Sequence, residues 1–173
     1  MNTNIKKSEL GKLLFQAAKE VTQRNLKNSS KYSMIKNLGL KKINKTKFFI
    51  EDLILNMFYF VLVDKNKFKN KKTKQAILNA MYQEYYDFLA NIDTFKKRYG
   101  DYVDKLNIRL SEYDKALNNL KDDKCLLTLS QVILNNFHGK KVVNIPAIMY
   151  LSSCFVSNLE SCNELLDNFS IID

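Results

Sequence analysis

The sequence contains few residues that turn the chain sharply or end a helix. Its 173 residues include one proline, four glycines and no tryptophan. All-β domains need many tight turns, which are built largely from glycine and proline, so the shortage favours long helices with few connections. The chain is still 46% hydrophobic and 12% aromatic, which is typical of a folded protein and not of a disordered one.

Metal ligands are also scarce. The cysteines are Cys125, Cys154 and Cys162, and His138 is the only histidine. No two cysteines form a Cys-x-x-Cys pair, whereas a structural zinc site needs about four ligands at short spacings. We therefore expect no metal site and no cofactor. An odd number of cysteines in a chain long enough to fold without disulfides indicates reduced thiols, and hence a cytoplasmic protein.

Motifs of enzymatic catalysis are missing as well. The glycines are scattered, so there is no glycine-rich phosphate-binding loop. A Ser-His-Asp or Cys-His arrangement would have to use His138, which precedes Gly139 and is better explained as the end of a helix. Helical di-metal sites combine glutamates with two Glu-x-x-His pairs, and the sequence has none. These absences favour a protein that is not an enzyme.

The longest apolar stretch runs from Thr46 to Asp64. Its apolar face is too wide for a single neighbour, so we predict a central helix with partners on several sides. A membrane span needs about twenty apolar residues, and this stretch is shorter. Glu51 and Asp52 near its start would also be costly in lipid, so we expect no transmembrane segment.

Elsewhere, apolar residues recur at steps of three and four, as on one face of a helix. The sequence therefore predicts an all-α fold, a single domain spanning 1–173 with five to six helices and a central apolar helix near 46–64. The predicted helices cover 8–27, 46–64, 74–92, 94–120, 124–138 and 146–169, with basic connections at 28–45 and 65–73. Thr46 and Thr73 are the predicted N-caps of the second and third helices. Gly100 weakens the fourth by up to about 1 kcal/mol, which allows a kink there.

Four polar residues are candidates for a ligand pocket. Glu51 and Asn56 share the narrow polar face of the central helix, while Glu84 and Asp87 are three residues apart on the next predicted helix. If the carboxylates of Glu51, Glu84 and Asp87 converge, they would form a small-ligand or enzymatic site within the bundle.

A structural role explains two of the acidic residues equally well. Glu51 and Asp52 would lie in the first turn of the central helix, where negative charge complements the positive helix end. They would also be able to pair with Lys47 or with a lysine of the third predicted helix. The sequence leaves both interpretations of Glu51 open.

Positive charge is concentrated in the first part of the chain. Residues 1–50 hold twelve Lys and Arg against two acidic residues, whereas residues 101–173 hold seven against ten. Lysines on either side of the central helix are candidate nucleic-acid contacts, since lysine binds backbone phosphates. These candidates are Lys41, Lys42, Lys45, Lys69, Lys71 and Lys72. The abundance of Lys, Asn and Ile has a simpler explanation in AT-rich codon usage, which requires no partner.

We expect a non-enzymatic, cytoplasmic protein-interaction or adaptor module whose partner is unknown, with self-association through the fourth predicted helix as one mode. An exposed apolar stripe on the fourth to sixth helices would favour this hypothesis. The alternatives are a basic nucleic-acid-binding module and a small-ligand-binding or enzymatic bundle. A concave cavity beside the central helix would favour a ligand binder.

Overall fold

A computed structural model describes residues 3–27, 31–38, 43–118 and 124–172. Within these ranges the chain forms eight helices and two short strands. In chain order they are β1 (Thr3–Lys6), α1 (Lys7–Asn25), α2 (Lys31–Asn37), α3 (Lys45–Lys67), α4 (Lys71–Asn91), α5 (Asp93–Lys96), α6 (Tyr99–Asn118), α7 (Lys124–His138), α8 (Ile145–Asp167) and β2 (Phe169–Ile172).

The all-α class is confirmed, but the predicted count of five to six helices is wrong. One additional helix, α2, forms inside the predicted basic connection 28–45. The other arises because the fourth predicted helix divides into α5 and α6, with a turn at residues 97–98. Gly100 lies just beyond this break, inside the first turn of α6.

The aromatic ring of Phe95 explains the break between α5 and α6. Phe95 is buried, and its ring centroid lies 6.3 Å from that of Phe49, 5.7 Å from Phe88 and 5.4 Å from Tyr102. These contacts hold the short α5 against α3 and α4. In one continuous helix, helical periodicity alone would set the direction of the Phe95 side chain.

Asparagine caps set the bounds of the central helices, and the predicted threonine caps are wrong. The Asn44 side chain accepts hydrogen bonds from the backbone amides of Thr46 and Lys47 at 2.8 and 3.2 Å. Asn70 caps α4 in the same way, through the amides of Lys72 and Thr73. The predicted connection 65–73 therefore shrinks to residues 68–70, because α3 continues to Lys67 and α4 begins at Lys71.

Helix α3 is the centre of the fold. Every residue from Ile50 to Val61 is buried, and the helix packs against α1, α4, α6, α7 and α8. Burial on all sides follows from the apolar composition around the whole helix. Polar residues on such a helix must find partners inside the protein.

Helices α1 and α4 approach each other most closely at Gly11. A Cβ atom at this position would lie 2.6 Å from the Cβ atom of Ala80 and would also clash with the carbonyl oxygen of Ile77. Only glycine therefore fits between the two backbones.

The ends of the described chain pair with each other. Strands β1 and β2 are parallel, with Thr3 opposite Phe169 and Lys6 opposite Ile172. The sequence had placed Phe169 on the last helix, which is wrong because α8 ends at Asp167. Strands of four residues are too short to show a clear alternating pattern.

Candidate functional site

The exposed apolar side chains cluster on α7, α8 and the loop between them. Five of the nine large apolar residues that are exposed in the described chain lie here, and we call them the α7–α8 face. They are Leu127, Val143, Ile145, Met149 and Val156. Val143 is 84% exposed, Ile145 66% and Met149 60%. Large exposed apolar patches mark protein interaction sites or ligand-binding grooves.

The α7–α8 face follows from a second apolar stripe on α8. Ala147, Leu151, Phe155, Cys162 and Leu166 form the buried stripe. Ile145, Met149 and Val156 lie within about 40° of one another on another side of the same helix. Both stripes follow helical spacing in the sequence, so the spacing alone does not show which of them is exposed. On α7, the side chain of Leu127 is 49% exposed.

A groove runs between the two helices beneath this face. Its volume is about 620 Å³, and Thr128, Gln131, Val132 and Ile148 line it together with the exposed Leu127, Ile145 and Met149. A hydrogen bond of 2.8 Å between the hydroxyls of Ser130 and Ser152 holds α7 to α8.

The loop that carries Val143 is fixed from both sides. Its amide at Val142 donates to the side chain of Asn135 at 2.9 Å, and Gln131 donates to the Val142 carbonyl. Gly139 opens the loop with φ of 85°, a backbone conformation that suits glycine. The exposed position of Val143 is therefore a property of the fold.

The groove is uncharged, but cations surround it. Lys124 begins α7, and Lys140 and Lys141 begin the loop to α8. All three are exposed, and within the described residues none takes part in an ion pair. The α7–α8 face is thus apolar at its centre, with positive charge at both ends of α7.

Glu51 lies in a buried ion-pair cluster. The residue is fully buried, and the Arg109 guanidinium binds its two carboxylate oxygens at 2.8 and 3.1 Å. Lys105 lies 3.3 Å away, and Arg109 also binds Glu112 at 2.9 Å. The cations come from α6, whereas the sequence had suggested Lys47 or the third predicted helix. Glu51 is also nearly two turns into α3, which begins at Lys45.

Asp52 and Asn56 belong to a separate buried network. Asp52 accepts from Lys31 at 2.6 Å and from Asn25 at 2.8 Å. The Asn56 amide donates to Asp52 at 3.2 Å and to the Thr22 hydroxyl at 2.9 Å. This network joins α1, α2 and α3 beneath the surface. Lys31 was not singled out from the sequence, because no pattern marks a buried lysine in a predicted basic connection.

The structure does not bring Glu84 and Asp87 to Glu51. Glu84 forms an ion pair with Lys12 of α1 at 3.5 Å, and Asp87 is exposed and accepts from Gln83 at 2.9 Å. On α4, the buried positions belong to Ile77, Met81, Tyr85 and Leu89. The four candidate pocket residues therefore occupy three different environments.

The candidate nucleic-acid lysines are divided between the two ends of α3. Lys41 and Lys42 lie outside the described residues. Lys45 is exposed at the start of α3, and Lys69, Lys71 and Lys72 are exposed beyond its end. The helix has 23 residues, so about 34 Å separates its ends at 1.5 Å per residue. Within the described chain these lysines do not form one continuous strip.

Burial shifts the pKa of several ionisable groups. Burial raises the pKa of the Cys162 thiol to about 12 and that of the Asp64 carboxyl to about 6. Burial, followed by the charges of Lys140 and Lys47, lowers the pKa of His138. No group of three or more metal-ligating side chains occurs among the described residues.

The comparisons with known proteins gave no match. No family model, no curated protein and no solved structure matches this chain. Among the described residues, none of the helices is both long and apolar enough to span a bilayer.

Proposed function

We propose that the protein is an interaction module that binds an acidic amphipathic helix of another protein on the α7–α8 face. One observation carries this proposal: five of the nine exposed large apolar residues of the described chain lie on α7, α8 and their loop, and three of the five line one uncharged groove. Helix-in-groove recognition uses apolar residues at steps of three and four, which bury themselves between two helices. The charges around the groove then determine which kind of helix binds there.

The charges around the groove favour an acidic partner over a second copy. Lys124 lies at the start of α7, Lys140 and Lys141 lie just after its end, and none of the three has an acidic partner in the described chain. The protein itself has a formal net charge of +10, so two copies repel each other at long range. An acidic helix would instead be attracted, and its carboxylates would meet the free lysines.

The length of the face sets the length of the bound helix. Ile145 and Val156 are eleven residues apart on α8, which corresponds to about 16 Å along a helix. A partner segment of three to four helical turns would cover this distance. Its apolar residues would lie against Ile145, Met149 and Leu127.

Two designed peptides test the proposal directly. Both have leucine on one helical face, and they differ only in carrying glutamate or lysine at the flanking positions. We expect the glutamate peptide to bind and the lysine peptide to bind at least about tenfold more weakly, as measured by fluorescence anisotropy at 0.15 M salt. Met149→Asp should remove binding of the glutamate peptide, because it places a carboxylate at the centre of the groove.

Ile108→Asp is the matched control. Ile108 is 52% exposed on α6 and lies outside the groove, so its replacement should leave peptide binding unchanged. Equal binding of the two peptides, or equal losses in the two variants, would reject the proposal. A concentration-dependent dimer in sedimentation that Met149→Asp dissociates would replace it with self-association through the same face.

The other proposed modes have weaker support. Self-association through the fourth predicted helix would rely on α6, whose exposed large apolar residues are Tyr99 and Ile108. Nucleic-acid binding would rely on the exposed lysines at the two ends of α3, and its affinity for a polyanion should fall steeply with salt. The three cysteines form no disulfide, which supports the cytoplasm as the proposed compartment.

A further inference from the structure

A cleft lies between α1, α3 and α8, on a different part of the molecule from the α7–α8 face. Helices α1 and α8 both pack on α3, but small residues face the gap between them. Ala17 and Ala18 line it on α1, and Ser161 and Cys162 line it on α8. These side chains are too short to fill the gap, so a cleft of about 290 Å³ remains above α3.

The side-chain amide of Asn56 lies at the floor of the cleft and has a fixed orientation. Asn56 lines the cleft and is only 3% exposed. Its amide nitrogen donates to the Thr22 hydroxyl at 2.9 Å and to the Asp52 carboxylate at 3.2 Å. A flipped amide would turn its oxygen toward that carboxylate, which would be repulsive. The amide NH₂ group is therefore fully used by its hydrogen bonds to Thr22 and Asp52.

The carbonyl oxygen of Asn56 remains as an acceptor. Within the described residues it receives no hydrogen bond, because the bonds of Asn56 all run through its nitrogen. An acceptor at the floor of a narrow cleft binds either water or a donor group of a ligand. A ligand in the cleft that offers an N–H or O–H group would satisfy it.

The rest of the cleft is apolar near its floor and polar at its mouth. Val21, Phe60 and Leu165 supply apolar surface, and the hydroxyl of Tyr59 interacts with Asn158. Glu20 and Arg24 are exposed one helical turn apart at the mouth. Their opposite charges give no preference for a ligand of one sign. The volume is close to the lower end for small-molecule pockets.

We propose that this cleft binds a small, uncharged, largely apolar molecule that carries one N–H or O–H donor. The donor hydrogen-bonds to the Asn56 carbonyl oxygen, and the apolar body lies against Phe60 and Leu165. Small polar groups on the ligand remain at the mouth, near Glu20 and Arg24. This site is independent of the peptide-binding function proposed for the α7–α8 face.

Two isomeric probes test the hydrogen bond at constant size. 3-Methylindole has an N–H donor, whereas 1-methylindole has the same atoms and no donor. We expect 3-methylindole to shift the amide NMR signals of residues around the cleft, including Val21 and Leu165. 1-Methylindole should bind at least about tenfold more weakly, which is the effect of one lost hydrogen bond. Equal affinities, or no binding of either probe at millimolar concentration, would overturn the proposal.

Two serines of α8 provide a matched pair of variants. Ser161 lines the cleft and Ser153 does not, although both are exposed and both donate to the carbonyl oxygen four residues earlier. Ser161→Phe should fill the cleft and abolish binding of 3-methylindole, while Ser153→Phe should leave it unchanged. Binding that survives in folded Ser161→Phe would overturn the proposal. Met149→Asp should leave the binding of 3-methylindole unchanged, so the proposals for the cleft and for the α7–α8 face can be rejected independently.

Discussion

At the scale of single residues, two buried aspartates of α3 have opposite surroundings. Asp52 accepts three hydrogen bonds from Lys31, Asn25 and Asn56. Asp64 is also fully buried, but neither of its carboxylate oxygens has a partner within the described residues. It lies in the last turn of α3, where the negative end of the helix dipole also opposes a negative charge. The ionised form of Asp64 is therefore destabilised.

Asp64→Asn should stabilise the protein at neutral pH. Burial raises the folded-state pKa of Asp64 from 3.8 to about 6, and the charge of Lys74 opposes this shift. Between these values the folded state binds a proton that the unfolded state does not, so stability falls as the pH rises from about 4 to 6. The uncharged asparagine removes this loss. We expect a gain of about 1–3 kcal/mol at pH 7.5 in urea denaturation.

The pH dependence shows whether the gain comes from removing the buried charge of Asp64 or from better packing. The gain from Asp64→Asn should shrink as the pH falls through 6 and be small near pH 4, where Asp64 is protonated in the folded state and the pH is close to its unfolded-state pKa of 3.8. Asp114→Asn is the control, because Asp114 is a partly exposed residue that pairs with Lys65 at 2.7 Å. It should change stability by less than about 1 kcal/mol. A gain for Asp64→Asn that is the same at pH 4.5 and 7.5 would contradict the explanation.

At the scale of the elements, a contact between two helices requires glycine at position 11, whereas no contact requires it at position 100. Gly11 lies where α1 touches α4, and an added methyl group would meet Ala80 and the backbone at Ile77. Gly100 lies in α6 with no atom near its missing Cβ. The sequence marks both simply as glycines within predicted helices. Only the approach of a second helix distinguishes them.

Gly11→Ala and Gly100→Ala should therefore have opposite effects. We expect Gly11→Ala to destabilise the protein by about 1–3 kcal/mol, because the backbones of α1 and α4 must move apart. Gly100→Ala should stabilise it by up to about 1 kcal/mol, since alanine has the higher helix propensity. Thermal and urea denaturation of the two variants measure both effects. A neutral Gly11→Ala would show that the two helices can separate without cost.

The boundaries of elements were harder to predict than their existence. The long apolar stretch predicted α3 because its hydrophobic pattern is strong. The cap of α3 was assigned to Thr46, whereas the structure uses Asn44, since both residue types favour this position. Helix α5 was predicted as the start of one long helix, and the break after it was missed. The contact of Phe95 with Phe49 helps to hold α5 in place. Phe49 belongs to another helix, and a periodicity argument considers only near neighbours in the sequence.

At the scale of the whole molecule, the candidate sites also combine features that the sequence predicts with features that only the packing of the helices determines. The sequence singled out Glu51 and Asn56 as polar residues on an apolar helix, and both prove to be buried. It could not predict their partners, because Arg109 and Thr22 come from other helices. The α7–α8 face was missed for a related reason. An apolar residue has the same identity whether it faces a core or solvent, so the burial of Met149 depends on the packing of α8.

The ion-pair cluster around Glu51 connects three helices and gives a prediction for the whole bundle. Glu51 of α3 binds Arg109 of α6, which binds Glu112, and Asn136 of α7 donates to Glu112 at 3.1 Å. Removal of Arg109 leaves a buried carboxylate with Lys105 as its remaining cation. Breaking one side of a buried ion pair costs about 3–5 kcal/mol. We expect Arg109→Met to destabilise the protein by this amount in urea denaturation.

Arg98→Met is the control for the loss of an arginine from the same helical region. Arg98 pairs with Asp101 at 2.8 Å, but both side chains are more than half exposed. Its loss should therefore cost less than about 1 kcal/mol. Adding Glu51→Gln to Arg109→Met should recover part of the stability, because the uncompensated charge is removed along with its partner. If the double variant is no more stable than Arg109→Met alone, the loss comes from the packing of the arginine side chain and not from the buried charge.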